Sequence, residues 1–372
     1  MNILKQHSLV IITLFVTLFT VALPVKASPG SKKVLMIVSG YGLGDKQPGY
    51  EFDEFSKAYS VFKQNGIAVD IASPKGGNVE ADNYDPSKSY NARVLVDEAI
   101  MAKLNNTLST KVVESESYDA VFVVGGKGAM FDLPKDIALQ QLIAKIYQQQ
   151  GSVAAVCHGP AALVNVKLTD GSYLIANKAI NSFTNQEEKL FGQKWIDDFD
   201  FMLEDKLAER GAIFQSSKIM LSHVAIDGRL ITGQNPTSTV DVATALVKSL
   251  GLTPVNVEPE LEDKTLAVVA KFITGDKSAL KPFTDTPEQY LVSFVSVYGF
   301  YYLKLAKTPL DFEQALALML VGQKALNNPN IDLKIAKTQL RLGQVANAKT
   351  TLNQLITAKP DFKAAQEMLK TL

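Results

Sequence analysis

Cys157 and His158 are the neighbouring side chains of this sequence with the most specific chemistry. Cys157 is the only cysteine among 372 residues, and His158 is one of only three histidines. They lie in the stretch GSVAAVCHGPAAL, residues 151–163. A thiol beside an imidazole can act as a nucleophile, because the imidazole can take up the thiol proton. The alternative is a buried cysteine that only fills space, which is a common environment for a free cysteine.

The residues on either side of Cys157 favour a nucleophile. Apolar residues 152–156 predict a buried strand and residues 159–163 predict a helix, so Cys157 lies at the sharp turn between them. Amides at a helix N-terminus stabilise a thiolate and lower the pKa of its thiol. We therefore expect Cys157 to be exposed above the sheet, with a pKa below the usual value of about 8.5. The backbone N–H of His158 is expected to help stabilise an oxyanion.

The elements that position this turn alternate between strands and helices. The predicted strands are too continuously apolar for a sheet with only one buried face. The pattern predicts an α/β fold with a doubly wound parallel sheet of the flavodoxin-like type. Strands are predicted in KKVLMIVS, IAVDIAS, AVFVVGG, SVAAVC, AINSF and RLITG, and helices in EFSKAYSVFKQNG, DIALQQLIAKIYQQQG and STVDVATALVKSLG.

The character of the sequence changes after Gly251. The stretch LTPVNVEPELED is polar and contains proline, and the residues that follow it show helical patterns without a convincing strand. We therefore predict an α/β domain at residues 28–253 and an all-α helical-repeat domain at residues 254–372. We expect the helical domain to supply no catalytic group, and its aromatic stretch VYGFYYL, residues 297–303, to be buried.

Part of the helical domain resembles a tetratricopeptide unit. In residues 331–360, Gly343 stands at a turn between two helices, Ala348 and Leu352 lie on the second helix, and Pro360 ends it. Helical repeats commonly recognise protein partners. A plain helical bundle is the alternative.

Residues 1–27 predict a cleaved signal peptide. Lys5 precedes the apolar run SLVIITLFVTLFTVALPV, and the small residues around Ala27 suit cleavage. An uncleaved membrane anchor is the alternative, because the run approaches the ~20 residues that span a bilayer. We expect a periplasmic or secreted protein, in which a lone cysteine has no partner for an internal disulfide.

Charge and histidine content exclude other classes of function. The 38 basic residues balance the 38 acidic ones, which argues against binding to nucleic acid or to anionic membranes. With His7 inside the predicted signal peptide, only His158 and His223 remain. A histidine-rich metal site is therefore not expected, and nothing in the sequence calls for a cofactor.

The stretch AVCHGPAAL resembles the nucleophile turn of the ThiJ/PfpI superfamily, whose fold is related to the class I glutamine amidotransferases. The resemblance extends over most of residues 32–251, and the chaperone-like and glutathione-independent glyoxalase branch is the most similar. The other similar stretches, in the order of the family, are GYEFDEFSKAYSVFKQNGIAVDIASPKGG, VFVVGGKGAMFDLP, INSFTNQEEKLFG, FMLEDKLAERGAIF and VAIDGRLITGQNPTS.

The resemblance assigns roles to four side chains. It implies that Cys157 is the nucleophile, that His158 is its neighbouring histidine, and that Glu54 is a carboxyl held close to the thiol. Glu188 matches the acid that orients the histidine, although Glu187 is close enough in sequence to compete. Without the resemblance we could not choose Glu54 among the three acids of EFDE. We expect a raised pKa for it, and near-silent substitutions at the other two acids.

The glycine loop VVGGKGAM carries both a match and a departure. Gly126 matches the loop glycine whose amide, together with that of His158, would form an oxyanion hole. Lys127 stands where the family commonly has histidine, which leaves the substrate preference open.

The resemblance implies a cofactor-independent enzyme that converts a small 2-oxoaldehyde such as methylglyoxal to a 2-hydroxy acid. A related cysteine hydrolase is the nearest variant. The alternative is an exported holding chaperone or partner-binding protein with a vestigial site, in which the helical domain binds the partner. A homodimer is a further expectation, although the sequence does not give the oligomeric state.

Overall fold

A seven-stranded sheet forms the centre of the α/β part of the protein. The computed structural model describes residues 31–44 and 46–372. The predicted signal peptide lies outside these residues, so its cleavage and the export of the protein remain predictions. The strands are β1 (Lys33–Ile37), β2 (Ala68–Ser73), β3 (Leu108–Ser109), β4 (Ala120–Val123), β5 (Ser152–Val156), β6 (Ala179–Ile180), β7 (Ile213–Phe214), β8 (Val224–Asp227) and β9 (Leu230–Gly233).

The order of the strands in the sheet is β3-β2-β1-β4-β5-β9-β8. All neighbouring pairs are parallel except β8 and β9, which are antiparallel. The five main parallel strands therefore lie in the order second, first, third, fourth, fifth, which is the flavodoxin-like arrangement. The predicted fold class is confirmed.

Two details of the sheet differ from the prediction. The strand predicted in AINSF is β6, which pairs only with β7 in a separate two-stranded sheet. The antiparallel edge strand β8 was not predicted. Ile226 in β8 is 57% exposed, so this strand lacks the continuous apolar pattern of the buried parallel strands.

Helices cover both faces of the sheet. Val34 and Met36 of β1 pack into the core beneath α1 (Phe52–Gln64) and α8 (Thr239–Ser249), whereas Leu35 and Ile37 pack into the core beneath α5 (Ile137–Gln148). This alternation of side chains buries both faces, as a doubly wound sheet requires. The helices of the α/β part are α1 (Phe52–Gln64), α2 (Ser89–Leu95), α3 (Glu98–Asn105), α4 (Ala129–Asp132), α5 (Ile137–Gln148), α6 (Asn185–Phe191), α7 (Leu203–Glu209) and α8 (Thr239–Ser249).

Residues 261–372 form a helical extension in which the structure describes no strand. Residues Ser31–Leu372 form one compact unit, and the division at residues 253 and 254 stays a prediction. No helix among the described residues has the length and apolar character needed to cross a membrane. The helices of the extension are α9 (Leu261–Ile273), α10 (Pro282–Asp285), α11 (Val292–Leu305), α12 (Pro309–Leu326), α13 (Pro329–Arg341), α14 (Val345–Ala358) and α15 (Lys363–Lys370).

Packing within the extension follows its apolar pattern. The helices α13 and α14 join at Gly343, which has a φ of 74°, and bury Ala336 and Ala348 completely. This arrangement is a helical hairpin, and its classification as a tetratricopeptide unit stays a prediction. Tyr298 and Tyr302 of α11 are buried in a core that also contains Leu221 of the α/β part. The predicted burial of the aromatic stretch is confirmed for Tyr298 and Tyr302, whereas Phe300 and Tyr301 are only partly buried.

Candidate active site

Cys157 forms a strained corner directly after β5. Its backbone has a φ of 58°, in the left-handed region that non-glycine residues seldom adopt. Two backbone hydrogen bonds hold it: its N–H donates to the carbonyl of Gly233 (2.9 Å), and its carbonyl accepts from the N–H of Phe183 (2.8 Å). The corner lies at the carboxyl edge of the parallel strands, where doubly wound folds place their sites. The predicted turn is therefore present.

The helix after this corner is shorter than the sequence suggested. Residues Gly159–Leu163 form a single 3-10 helix of five residues. The side chain of Cys157 is only 4% exposed. The expectation of an exposed thiol at the start of a regular helix is therefore wrong, because so short a helix has a small dipole and the turn is covered by neighbouring side chains.

His158 joins the thiol to a carboxyl group. Its Nδ1 atom lies 3.3 Å from Cys157 Sγ, and its Nε2 atom lies 2.7 Å from Glu188 Oε2. All three side chains are buried. In this geometry the imidazole can take the thiol proton while the carboxylate stabilises the resulting imidazolium. Three of the four residues to which the resemblance assigned roles are thus brought together in one hydrogen-bonded chain.

The competing acid, Glu187, faces a different set of groups. It is the third residue of α6 and closes a capping box with Thr184. Its Oε1 atom accepts hydrogen bonds from the Met220 backbone N–H and from Asn235 Nδ2, both at 2.8 Å, and its Oε2 atom accepts one from Gln234 Nε2. These contacts tie α6 to the neighbouring loops. The structure therefore places Glu188, and not Glu187, beside His158.

Glu54 lies on α1 and is completely buried. Its Oε2 atom accepts a hydrogen bond of 2.7 Å from the backbone N–H of Gly125, whereas Oε1 has no partner of good hydrogen-bond geometry among the described residues. Burial raises the pKa of Glu54 well above its usual value, and the nearby Glu51 raises it further. The expected raised pKa is confirmed. Since Oε2 already accepts a bond, the proton belongs on Oε1.

The pKa of Cys157 is raised rather than lowered. Burial is the largest cause, followed by the charge of the Glu54 carboxylate, and Lys127 acts in the opposite direction. The expectation of a pKa below that of a free thiol is therefore wrong. A buried thiol with a raised pKa rests as a neutral S–H group, so it needs a base such as His158 to become a nucleophile.

Two backbone N–H groups beside the thiol have no acceptor in the described part of the chain. Gly126 has a φ of 92°, and a Cβ atom there would lie 2.4 Å from the backbone nitrogen of Glu51, so only glycine fits. Among the residues that the structure describes, neither the N–H of Gly126 nor that of His158 donates a hydrogen bond to a protein atom. Both residues line the cavity that contains Cys157. They match the predicted pair of oxyanion donors.

The thiol faces a cavity of about 240 Å³. Lys127 and Glu51 line it on the side of the glycine loop, and burial raises the pKa of Glu51 to about 7. Glu51 was expected to be nearly silent on substitution, and its place in the cavity lining was not predicted. The third acid of this stretch, Asp53, instead accepts a hydrogen bond from Asn91 (2.6 Å) and pairs with Lys88. Glu54 is absent from the lining and lies behind the thiol.

The helical extension contributes to the same cavity. Glu262 and Leu266 of α9 and Phe294 of α11 line it together with Cys157 and His158. That the extension supplies no catalytic group stays a prediction, but its contribution to the lining of the cavity was not expected. No signal in the sequence could have revealed these residues, because they are more than a hundred positions away from Cys157 along the chain.

Metal-binding geometry is not found in the part of the chain that the structure describes. There, no group of three or more His, Cys, Asp or Glu side chains is placed to hold a metal ion. The side chain of His223 is not part of the cavity lining.

A flavodoxin-like sheet with a Cys–His–Glu chain at the corner after β5 defines the class: α/β proteins with a cysteine-centred site. Residues 45–249 match the DJ-1/PfpI family, and the protein belongs to this family. The matched segment contains all the residues that the resemblance assigned to the site. Residues 261–372 lie outside it.

Two curated relatives match along nearly their whole length. The protein is 31% identical over 238 residues to a Schizosaccharomyces pombe protein named glutathione-independent glyoxalase hsp3102. It is also 31% identical over 235 residues to the Saccharomyces cerevisiae protein named glutathione-independent glyoxalase HSP31. Each match covers 98% of the relative but only 59% of this chain.

Two solved structures are similar to the α/β part. Francisella tularensis Rapid Encystment Protein 24 KDa is 34% identical, with a TM-score of 0.55, and the match covers 59% of this chain and 99% of that one. The glyoxalase III of Candida albicans is 25% identical, with a TM-score of 0.54, and the match covers 59% and 98% of the two chains.

Proposed function

We propose that the protein is a cysteine-dependent enzyme that converts small 2-oxoaldehydes such as methylglyoxal to 2-hydroxy acids without glutathione. The observation that carries the proposal is the hydrogen-bonded chain from Cys157 through His158 to Glu188, which opens on a cavity of about 240 Å³. The names of the relatives at 31% identity support the choice of substrate.

The first step is the addition of the thiol to the aldehyde carbon, C1. His158 Nδ1 takes the proton of Cys157 as Sγ forms a bond to C1, and the electron pair of the C1=O bond moves to the oxygen. The free N–H groups of Gly126 and His158 stabilise this oxyanion. His158 then returns the proton to it, which gives a neutral hemithioacetal.

The second step moves a proton from C1 to C2. His158 lines the cavity and contacts the sulfur that is now bonded to C1, so it is placed to remove the C1 hydrogen. The electron pair of the C–H bond forms a C1=C2 double bond as the pair of the C2=O bond moves to its oxygen, which gives an enediolate. Delivery of the proton to C2 and transfer of the hydroxyl proton from the C1 oxygen to the C2 oxygen give the thioester of a 2-hydroxy acid. No oxidant is needed, because C1 is oxidised as C2 is reduced.

Hydrolysis completes the turnover. Water adds to the thioester carbonyl while His158 accepts one of its protons, and the C–S bond breaks to release the 2-hydroxy acid. The thiol of Cys157 regains a proton. Glu54, which holds a proton on Oε1 behind the sulfur, can donate a hydrogen bond to each thiolate that forms on this path.

Lactate formation from methylglyoxal tests the proposal. Wild type should produce lactate in proportion to the methylglyoxal consumed, and both Cys157→Ser and His158→Asn should abolish it. His223→Asn is the matched control, because the side chain of His223 is not part of the cavity lining. Lactate formation by Cys157→Ser at the rate of wild type would rule out the proposed nucleophile.

The alternatives stay predictions. A related cysteine hydrolase would use the same thiol, base and oxyanion donors on a small amide or ester. A holding-chaperone role, an exported location and a homodimer likewise stay predictions.

A further inference from the structure

We propose that the helical extension forms a wall of the substrate pocket and sets the upper size limit of the aldehydes that reach Cys157. The inference rests on the proposed function for the identity of the substrate, and on the cavity lining for the wall itself. Leu266 of α9 and Phe294 of α11 are the residues of the extension that present apolar surface to the cavity.

Ionic contacts hold the start of the extension against the helix that carries Glu54. Lys57 of α1, one turn after Glu54, forms an ion pair of 2.8 Å with Asp263 of α9, and their side chains are only 6% and 14% exposed. Glu260, directly before α9, accepts hydrogen bonds of 2.6 Å from Ser89 and from Arg93 of α2. Buried or clustered pairs of this kind fix the position of an element more firmly than isolated surface pairs.

Apolar contacts hold the extension against the helix that carries Glu188. Phe191 at the end of α6 packs edge-on against Tyr301 of α11, with ring centroids 4.8 Å apart. Leu221 joins the core formed by Leu266 and Tyr298. The extension therefore contacts both helices that carry an acid of the site. It is packed against the pocket rather than tethered beside it.

The lining of the pocket defines the class of substrate. Leu266 and Phe294 line the same cavity as Phe183, Phe191 and Met220 of the α/β part. With Glu262 of α9 also in the lining, the surface that the extension contributes is mainly but not entirely apolar. A cavity of about 150 Å³ holds one benzene molecule, so a cavity of about 240 Å³ accommodates only a small substrate. The geometry fits a 2-oxoaldehyde with a short alkyl substituent. Aldehydes with fused aromatic rings and aldehyde adducts on protein side chains are too large.

Alkylation of the single cysteine tests the wall without any need for turnover. The second-order rate constants of Cys157 with iodoacetamide, a small reagent, and with N-(1-pyrenyl)maleimide, a bulky one, are compared in wild type, Leu266→Ala and Phe294→Ala. The alkylation ratio is the rate constant with N-(1-pyrenyl)maleimide divided by that with iodoacetamide. We expect this ratio to rise on the order of 10-fold in both variants. Val269→Ala is the control. Val269 of α9 packs in the same hydrophobic core as Leu266 but does not line the cavity.

Turnover of two aldehydes then connects the wall to the substrate. In the same variants, the ratio of kcat/KM for 2-naphthylglyoxal to that for methylglyoxal should rise in parallel with the alkylation ratio. If wild type turns over neither aldehyde, while the alkylation ratio rises in Leu266→Ala and Phe294→Ala, the proposed function is overturned and the wall is still supported.

Two results would overturn the wall itself. One is an unchanged alkylation ratio in Leu266→Ala and Phe294→Ala proteins whose circular dichroism matches that of wild type. The other result applies if Phe294→Ala does not fold. Phe294→Trp enlarges the side chain, so an alkylation ratio in this variant that does not fall below that of wild type would contradict the wall.

Discussion

Gly192 lies directly against the carboxyl group of Glu188. A Cβ atom at Gly192 would lie 1.6 Å from Glu188 Oε1, which is far inside van der Waals contact. Gly192 ends α6 with a φ of −100°, and its N–H donates a hydrogen bond of 2.7 Å to the carbonyl of Glu188. Alanine can adopt this backbone conformation. The side chain that glycine lacks at this position would therefore displace the acid that His158 contacts.

Gly192→Ala should lower turnover of methylglyoxal with little loss of stability. The new methyl group pushes the Glu188 carboxyl away from His158, and we expect kcat to fall on the order of 100-fold because the imidazole loses its orienting partner. The readouts are kcat and the thermal unfolding midpoint. Gly40→Ala is the control, because its φ is −98° and a Cβ atom there meets nothing nearer than 3.8 Å. Full activity in Gly192→Ala would contradict the assigned position of Glu188.

The adjacent acids of α6 should respond differently to the same substitution. Glu188→Gln should lower kcat on the order of 100-fold or more and leave the unfolding midpoint nearly unchanged. Glu187→Gln should lower the free energy of unfolding by about 1–3 kcal/mol, because it disrupts a buried set of hydrogen bonds. Urea denaturation and steady-state kinetics of both variants check this. A catalytic defect in Glu187→Gln that exceeds the defect in Glu188→Gln would reverse the assignment.

Glu51 should make stability depend on pH. Burial raises its pKa from 4.5 to about 7, so between these values the folded state binds more protons than the unfolded state. Its contribution to stability is complete below pH 4.5 and is lost as the pH rises through 7. The free energy of unfolding falls by about 1.4 kcal/mol per pH unit between the two pKa values. Glutamine cannot ionise, so Glu51→Gln removes this loss of stability.

Urea denaturation at pH 5 and pH 8 checks this dependence. The difference in free energy of unfolding, Glu51→Gln minus wild type, should be more favourable at pH 8 by up to about 3 kcal/mol. Glu80→Gln, at an exposed carboxyl, serves as the control and should show no such dependence. A Glu51→Gln difference that is the same at both pH values would show that the carboxyl is not buried as described.

Alkylation of Cys157 by iodoacetamide should be slow at neutral pH. Burial raises the pKa of the thiol well above its usual value, so the rate should rise with pH to a midpoint above the usual value of about 8.5. Lys127→Met removes a cation that lowers this pKa, and the midpoint should move still higher. Lys111→Met, at an exposed lysine, should leave it unchanged. A midpoint below 8.5 in wild type would show that hydrogen bonds to the thiolate outweigh its burial.

The central sheet could be predicted because its strands are apolar on both faces. Each of the five main parallel strands coincides with a mainly apolar run such as VLMI or AVFV. Such runs are typical of strands that are buried on both faces of a sheet. The short strands β3 and β7 have two residues each. Two residues are too few to show the alternation of apolar and polar side chains that identifies a strand. The antiparallel edge β8 depends on its pairing with β9, a contact that hydrophobic pattern alone does not encode.

The site was predictable where it is local in sequence. Cys157 and His158 are adjacent and sit in a recognisable turn, and Glu188 follows from its place in the family's order. The state of the thiol was not predictable, because its pKa depends on burial by side chains from distant elements. The same holds for Leu266 and Phe294, whose presence in the cavity depends on how the extension packs.

The ion pair between Lys57 and Asp263 also bears on when the pocket forms. The two residues are 206 positions apart in the chain, so this contact closes one of the longest loops in the protein. Contacts of such separation form late, since the entropy of a long loop must be lost before they stabilise anything. The residues of the sheet and of the Cys157 corner precede those of α9 and α11 in the chain. We therefore expect a folding stage in which the corner has formed and the thiol still faces a wider opening, because the wall contributed by the extension is not yet in place.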